Sequence, residues 1–105
     1  MQQFTLYRNR NPATRAVFPL LLDVQSDLLE DLHTRVVIPL TRKSRLSGKP
    51  VDHLMPVVDF EDDTYVLVTQ HLAGIARAEL GAPAGSLARQ RDAIISALDF
   101  LFTGF

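Results

Sequence analysis

At 105 residues, with 47% apolar and 22% charged side chains and a formal net charge of -1, the chain reads as one globular domain spanning residues 1–105. The absence of cysteine excludes disulfide scaffolds, thiol nucleophiles and thiolate metal sites, and no apolar run approaches the ~20 residues of a membrane-spanning helix. Eleven basic residues against twelve acidic ones speak against a protein that coats nucleic acid, because affinity for phosphate needs a surplus of lysine and arginine. The opening MQQFTLYRNRNP lacks the basic region and apolar block of a secretory leader, so a cytoplasmic location and no membrane partner are expected.

Short, β-branched apolar runs broken by proline or acidic turns predict strands over the first four-fifths of the chain. Phe4-Thr5-Leu6-Tyr7 is the first, closed by the turn residues Asn9-Arg10-Asn11-Pro12, and residues 20–24 are the second, followed by a polar, acidic segment to residue 34. Val36-Val37-Ile38-Pro39-Leu40 is the third; Pro39 cannot donate to a ladder, which puts it at an edge, a bulge or the end of a pairing. Residues 41–53, TRKSRLSGKPVDH, read as a long connection. Residues 55–60 and 65–69 flank Glu61-Asp62-Asp63-Thr64 as a hairpin with a four-residue acidic loop.

Residues 72–80 offer one more short strand, and Gly81-Ala82-Pro83-Ala84-Gly85 reads as a break in regular structure. A helix is predicted over 87–102, N-capped by Ser86. Ile94, Leu98, Leu101 and Phe105 recur on one face, which Ile95 and Phe102 widen, while Phe100 sits off it. These elements predict a mainly β fold, a small SH3-like, partly open barrel or twisted antiparallel sheet with the C-terminal α-helix packed across it.

Few constellations point to catalysis. His33, His53 and His71 are spaced by 20 and 18 residues, without the short separations that put two imidazoles on one helix face for a metal. Asp23, Asp27, Glu30 and Asp31 could gather around magnesium, although carboxylates after a strand more often cap turns or face water, and no cofactor is expected. Glu61-Asp62-Asp63 is explained as a hairpin tip. Basic residues fall in two places, Arg8, Arg10 and Arg15 near the start and Arg42, Lys43, Arg45 and Lys49 in the long connection; either set could touch phosphate, and both also fit solvated loops. His33 with Asp31 and Arg35 is a weak candidate for metal-free ribonuclease chemistry. The end of the chain is unusual, since termini are ordinarily polar and frayed and this one carries Phe100, Phe102 and Phe105 in its last six residues. It either docks into its own core or a homodimer seam, or projects as an apolar tip that binds another protein.

Taken together, Gln3-Phe4-Thr5-Leu6-Tyr7, Leu22-Asp23-Val24-Gln25-Ser26-Asp27-Leu28-Leu29, Arg35-Val36-Val37-Ile38-Pro39-Leu40, Leu54-Met55-Pro56-Val57-Val58 and the C-terminal Phe-x-x-Gly-apolar pattern resemble the CcdB family of bacterial toxins, the toxin half of plasmid-maintenance and chromosomal toxin-antitoxin pairs. The resemblance implies a compact barrel of the kind also seen in MazF ribonucleases, forming a symmetric homodimer. It implies a non-catalytic toxin that binds the A subunit of DNA gyrase and holds the cleaved gyrase-DNA complex. A cognate CcdA-like antitoxin would neutralise it, and operator DNA would be met indirectly, through the antitoxin complex. By matching motif positions, gyrase contacts fall on Leu28, Leu29, Asp99, Phe102, Thr103, Gly104 and Phe105. Antitoxin contacts fall on Gln25, Ser26, Asp27 and Asp31, and the dimer interface on Phe100 and Leu101. The best-known members end in tryptophan, glycine and isoleucine, where this chain has Thr103-Gly104-Phe105. Two alternatives stay open, a MazF-like endoribonuclease on the same barrel and a degenerate toxin that acts only as an antitoxin-binding, co-repressing partner.

Overall fold

A computed structural model describes residues 2–104; Phe105, expected on the helix stripe and in the gyrase-binding set, lies outside the described residues. Seven strands, β1 (Thr5–Asn9), β2 (Leu20–Asp23), β3 (Thr34–Arg42), β4 (Val57–Phe60), β5 (Asp63–Leu67), β6 (Ala73–Ala76) and β7 (Leu80–Ser86), precede one helix, α1 (Arg91–Thr103). All pair antiparallel in one sheet of order β4-β5-β3-β2-β1-β7, with β6 also on β3. The sheet curls into a half-barrel with the helix across its concave side, the mainly β class expected.

Apolar residues occupy both faces of the strands, which is why runs such as Leu20-Leu21-Leu22 are continuous rather than alternating. Leu6, Leu20, Leu22, Ile38, Leu40 and Leu67 are fully buried in the main core, and Ile94, Ile95 and Leu98 pack there from α1. Each such side chain contributes about 1.5–3 kcal/mol of burial. On the opposite face, Tyr7, Leu21, Val37 and Leu80 form a second cluster, while Met55, Val66 and Val68 form a third beneath Phe18, Leu46 and Leu54 from the flanking loops.

Pro39 sits in the middle of the sheet's central strand without breaking it. Residues 34–37 of β3 pair with β6 and residues 40–42 with β5, so Pro39 falls at the seam between two partners on the same side. Its carbonyl accepts from the Val68 N–H at 2.9 Å, and its nitrogen, which faces the same way in a strand, has no ladder bond to supply. The expected end of a pairing is therefore found inside a strand rather than at its tip.

Two local expectations about the strands are corrected. The β4–β5 hairpin pairs Phe60 with Asp63, which leaves a loop of two residues, not four. Glu61 (φ 49°) and Asp62 (φ 64°) are both left-handed, the backbone of a type I′ turn whose twist matches its strands. Residues 81–85 are not a break; they lie within β7, paired to β1 through two register shifts. Their glycines serve close approach. A Cβ on Gly81 would stand 2.7 Å from the Arg8 carbonyl oxygen, and one on Gly85 2.5 Å from Cε1 of Phe60. The Phe60 ring over Gly85 brings the sheet's two outermost strands together, helped by the Arg8–Glu61 ion pair at 2.7 Å.

The helix starts later than predicted. Ser86 Oγ accepts from the Ala88 N–H at 3.1 Å, but the residue before the 3₁₀ turn (Ala88–Gln90) is Leu87 and the one before α1 is Gln90. Ser86 therefore stands one residue ahead of the turn's cap position and steers the chain into the turn from which α1 continues. The buried stripe runs through Ile94, Ala97, Leu98 and Leu101 rather than out to Phe102, which is 68% exposed. Phe102 shares its side of the helix with Ile95, two turns earlier, but stands exposed in the last turn.

Candidate functional site

Between β2 and β3 the chain leaves the sheet in an excursion over residues 24–33, and a buried polar network holds its base. Arg35 donates from Nε and Nη2 to Asp23 Oδ2 at 2.9 and 2.6 Å, with both side chains wholly buried. Asp23 Oδ1 accepts from the Gln25 N–H at 3.0 Å. The Gln25 side chain then uses both ends, Oε1 accepting from the Val36 N–H at 3.0 Å and Nε2 donating to the Leu29 carbonyl at 2.9 Å. Gln25 is only 6% exposed, so it braces the excursion from beneath. Ser26 Oγ caps the 3₁₀ turn (Asp27–Leu29) by accepting from the Leu28 N–H at 3.2 Å, and Asp27 Oδ1 accepts from the Gln3 N–H at 2.7 Å. Asp31 stays exposed at the rim.

On top of this scaffold the apolar side chains face water. Leu28 is 94% exposed, with Leu29 and Leu32 about half so. A leucine left this far out of a core forgoes its burial energy unless something else covers it.

The second apolar projection is the end of α1. Gly104 adopts the left-handed conformation at φ 78°, and its N–H donates to the Phe100 carbonyl at 2.9 Å, a glycine-closed helix terminus. Thr103 Oγ1 donates to the Asp99 carbonyl at 2.6 Å. Asp99, Phe102, Thr103 and Gly104 are all exposed there. Phe100 and Leu101 are half-buried, and the Phe100 ring rests 6.1 Å from that of His53. The two projections belong to different parts of one protomer. The Asp27–Leu29 turn is tied to Gln3, next to the Phe4 carbonyl that accepts from the Leu87 N–H before the helix, while Phe102 lies ~16 Å further along the axis from Arg91.

The residues weighed for catalysis do not converge. Arg35 is consumed by Asp23 inside the protein, whereas His33 and Asp31 are exposed in the excursion. Asp23, Asp27, Glu30 and Asp31 are likewise divided between a buried pair, a backbone contact and solvent. Among the described residues no three histidine, aspartate or glutamate side chains are placed to share a metal. A cavity of about 220 Å³ opens on the sheet face away from α1, floored by Leu21, Val37, Pro39 and Ile75 with His71 and Glu79 at its edge. His71 stands edge-on to Phe18, centroids 5.7 Å apart. Sequence reasoning missed this cavity because its floor comes from three strands and its wall from a loop.

The half-barrel with a C-terminal helix is shared with solved toxin structures. The Mycobacterium tuberculosis toxin MazF-mt6 matches with a TM-score of 0.73 at 18% identity, covering 93% of this chain and 95% of that one. A mycobacterial endoribonuclease solved in complex with its cognate antitoxin matches with a TM-score of 0.75 at 17% identity, over 97% of this chain and 94% of that one. A further M. tuberculosis toxin gives 0.70 at 20% identity, over 92% and 99%. At such identities the likeness is one of fold. Sequence supplies the finer assignment: the family model described as CcdB protein matches residues 3–104, and the chain belongs to the CcdB family. No helix among the described residues is long and apolar enough to cross a membrane.

Proposed function

We propose that this protein is the toxin of a toxin-antitoxin pair and acts by binding, not by catalysis. Its target is the A subunit of DNA gyrase, held in the DNA-cleaved state, and a cognate antitoxin relieves it. Membership of the CcdB family supports this reading, as does the fold shared with toxins, one of them solved with its antitoxin. The observation that carries it is the exposure of Leu28 and Phe102 on rigid supports, a capped 3₁₀ turn braced by Gln25 and a glycine-closed helix end. The backbone beneath these side chains is already held by hydrogen bonds, so a partner gains their burial without having to order the chain that carries them. Of the four residues expected to meet the antitoxin, Ser26, Asp27 and Asp31 form the facing rim of the same excursion while Gln25, buried with both ends of its side chain bonded internally, supports that rim from beneath; Phe100 with Leu101 supplies the homodimer contact. The ribonuclease reading is favoured by the mycobacterial endoribonuclease of like fold, but Arg35, the cation it would need beside His33, is locked to Asp23.

The test uses purified protein with gyrase, supercoiled DNA and ATP, scoring linear DNA released by detergent and protease. Trapped breaks are expected. Phe102→Ala and Leu28→Ala should each weaken the effect by about 30-fold while leaving the fold intact by circular dichroism. Cleavage of RNA without trapped DNA would transfer the assignment to a ribonuclease, and neither activity would leave an antitoxin-binding partner.

A further inference from the structure

We propose that the connection after β3 forms a phosphate-binding site for the backbone of a nucleic acid. Residues 42–53 carry Arg42, Lys43, Arg45 and Lys49 against the single carboxylate Asp52, a local surplus of positive charge in a chain whose net charge is -1. The segment folds back on itself through a 3₁₀ turn (Lys43–Arg45), a left-handed Gly48 at φ 83° and a left-handed His53 at φ 67°. The fold-back leaves an open cavity of about 500 Å³, whose lining includes Lys43, Gly48, Lys49, Asp52, His53 and Met55.

The four basic side chains divide into two roles. Arg42 Nε donates to Asp63 Oδ2 at 3.0 Å, and Arg45 Nη1 donates to the Ala16 carbonyl at 2.7 Å, so both fasten the connection to the body. Lys43 and Lys49 make no ion pair among the described residues and line the cavity. A left-handed backbone is uncommon for a residue with a side chain, and here it sets His53 at the cavity with its ring beside Phe100. Two ammonium groups and an imidazole around one concavity offer several donors and a positive field to an anion. Asp52 is the opposing charge in the same lining. No aromatic ring in the cavity lining besides His53 is available for a base to stack on, so the site reads backbone and not sequence. It would let the protein touch nucleic acid directly, and it shares no residue with the gyrase-binding set, so it stands or falls separately.

The test is fluorescence anisotropy of the full chain against a labelled mixed-sequence DNA duplex of roughly 20 base pairs, from about 20 to 200 mM KCl. The affinity should fall with salt on a log–log plot, and Lys43→Gln with Lys49→Gln should reduce that slope by about two. Arg89→Gln with Arg91→Gln, an equal change of charge at exposed positions on the helix side, should leave the slope unchanged. Asp52→Asn should tighten binding. The proposal is overturned if the unaltered protein does not bind the duplex at the lowest salt, if the two double variants lose affinity equally, or if Asp52→Asn has no effect. Binding to phosphatidylglycerol vesicles without binding to the duplex would overturn it as well.

Discussion

Asp23 and Arg35 are buried together, and each depends on the other, because removing one partner of such a pair leaves an unpaired charge in the core at a cost of about 3–5 kcal/mol. Tyr7 lies on the same face of the sheet, and its hydroxyl feels both burial and this pair. Burial pushes its pKa above the usual 10.0, the Asp23 carboxylate adds to the rise, and Arg35 and Arg77 partly offset it. The folded state therefore holds the phenol proton more tightly than the unfolded chain. The resulting stability is fully present below pH 10 and is lost as pH rises through the raised folded value. Urea midpoints measured from pH 9 upward should fall on the alkaline side, and Tyr7→Phe should flatten that part of the profile. In the sequence, Asp23 reads as one of four acids and Arg35 as a partner for His33. Their pairing depends on strand register, in which Asp23 faces Val37 and both charges point away from the helix, and spacing along the chain does not contain that register.

Among the elements, β1 to β5 and α1 are legible because their signals are local: β-branched runs, an acidic turn between two of them, and apolar residues at helical spacing. β7 is illegible for the opposite reason. Gly81-Ala82-Pro83-Ala84-Gly85 has the composition of a loop, and only β1 on one side and the Phe60 ring on the other turn it into a bulged strand. Phe102 shares its side of the helix with Ile95, which packs on the core, so helical spacing predicts burial for both; Phe102 is exposed because it stands two turns further on, in the last turn, and spacing does not tell how far along the helix the core reaches. The β4–β5 turn places two side-chain-bearing acids in left-handed backbone, where glycine is more at ease. Asp62→Gly should stabilise the protein by up to about 1 kcal/mol, raising its melting temperature by several degrees in calorimetry. A drop in melting temperature would mean that the Asp62 side chain contributes more than its backbone strain.

At the scale of the whole molecule, the half-barrel is completed by contact instead of by hydrogen bonding. β4 and β7 end the sheet order and do not pair with each other, yet Phe60 lies over Gly85 and Glu61 holds Arg8. Gly85→Ala drives a methyl group into the ring and should cost about 1–3 kcal/mol in chemical denaturation, as overpacked cores do. Phe60→Leu in the same chain should return part of the loss, since the two positions touch and their effects do not add. Additive losses would show that the ring can swing aside without cost.

That contact has a bearing on solubility. The last strand at either end of an open sheet offers a row of unpaired amide and carbonyl groups to any other chain. Here one phenyl ring from β4 lies over Gly85 of β7, and one surface ion pair ties the β4–β5 turn to β1 beside it. A protein sealed in this way has its weakest point where self-templating begins, so a crack at Gly85 should register as light scattering from growing aggregates before helix or strand content declines.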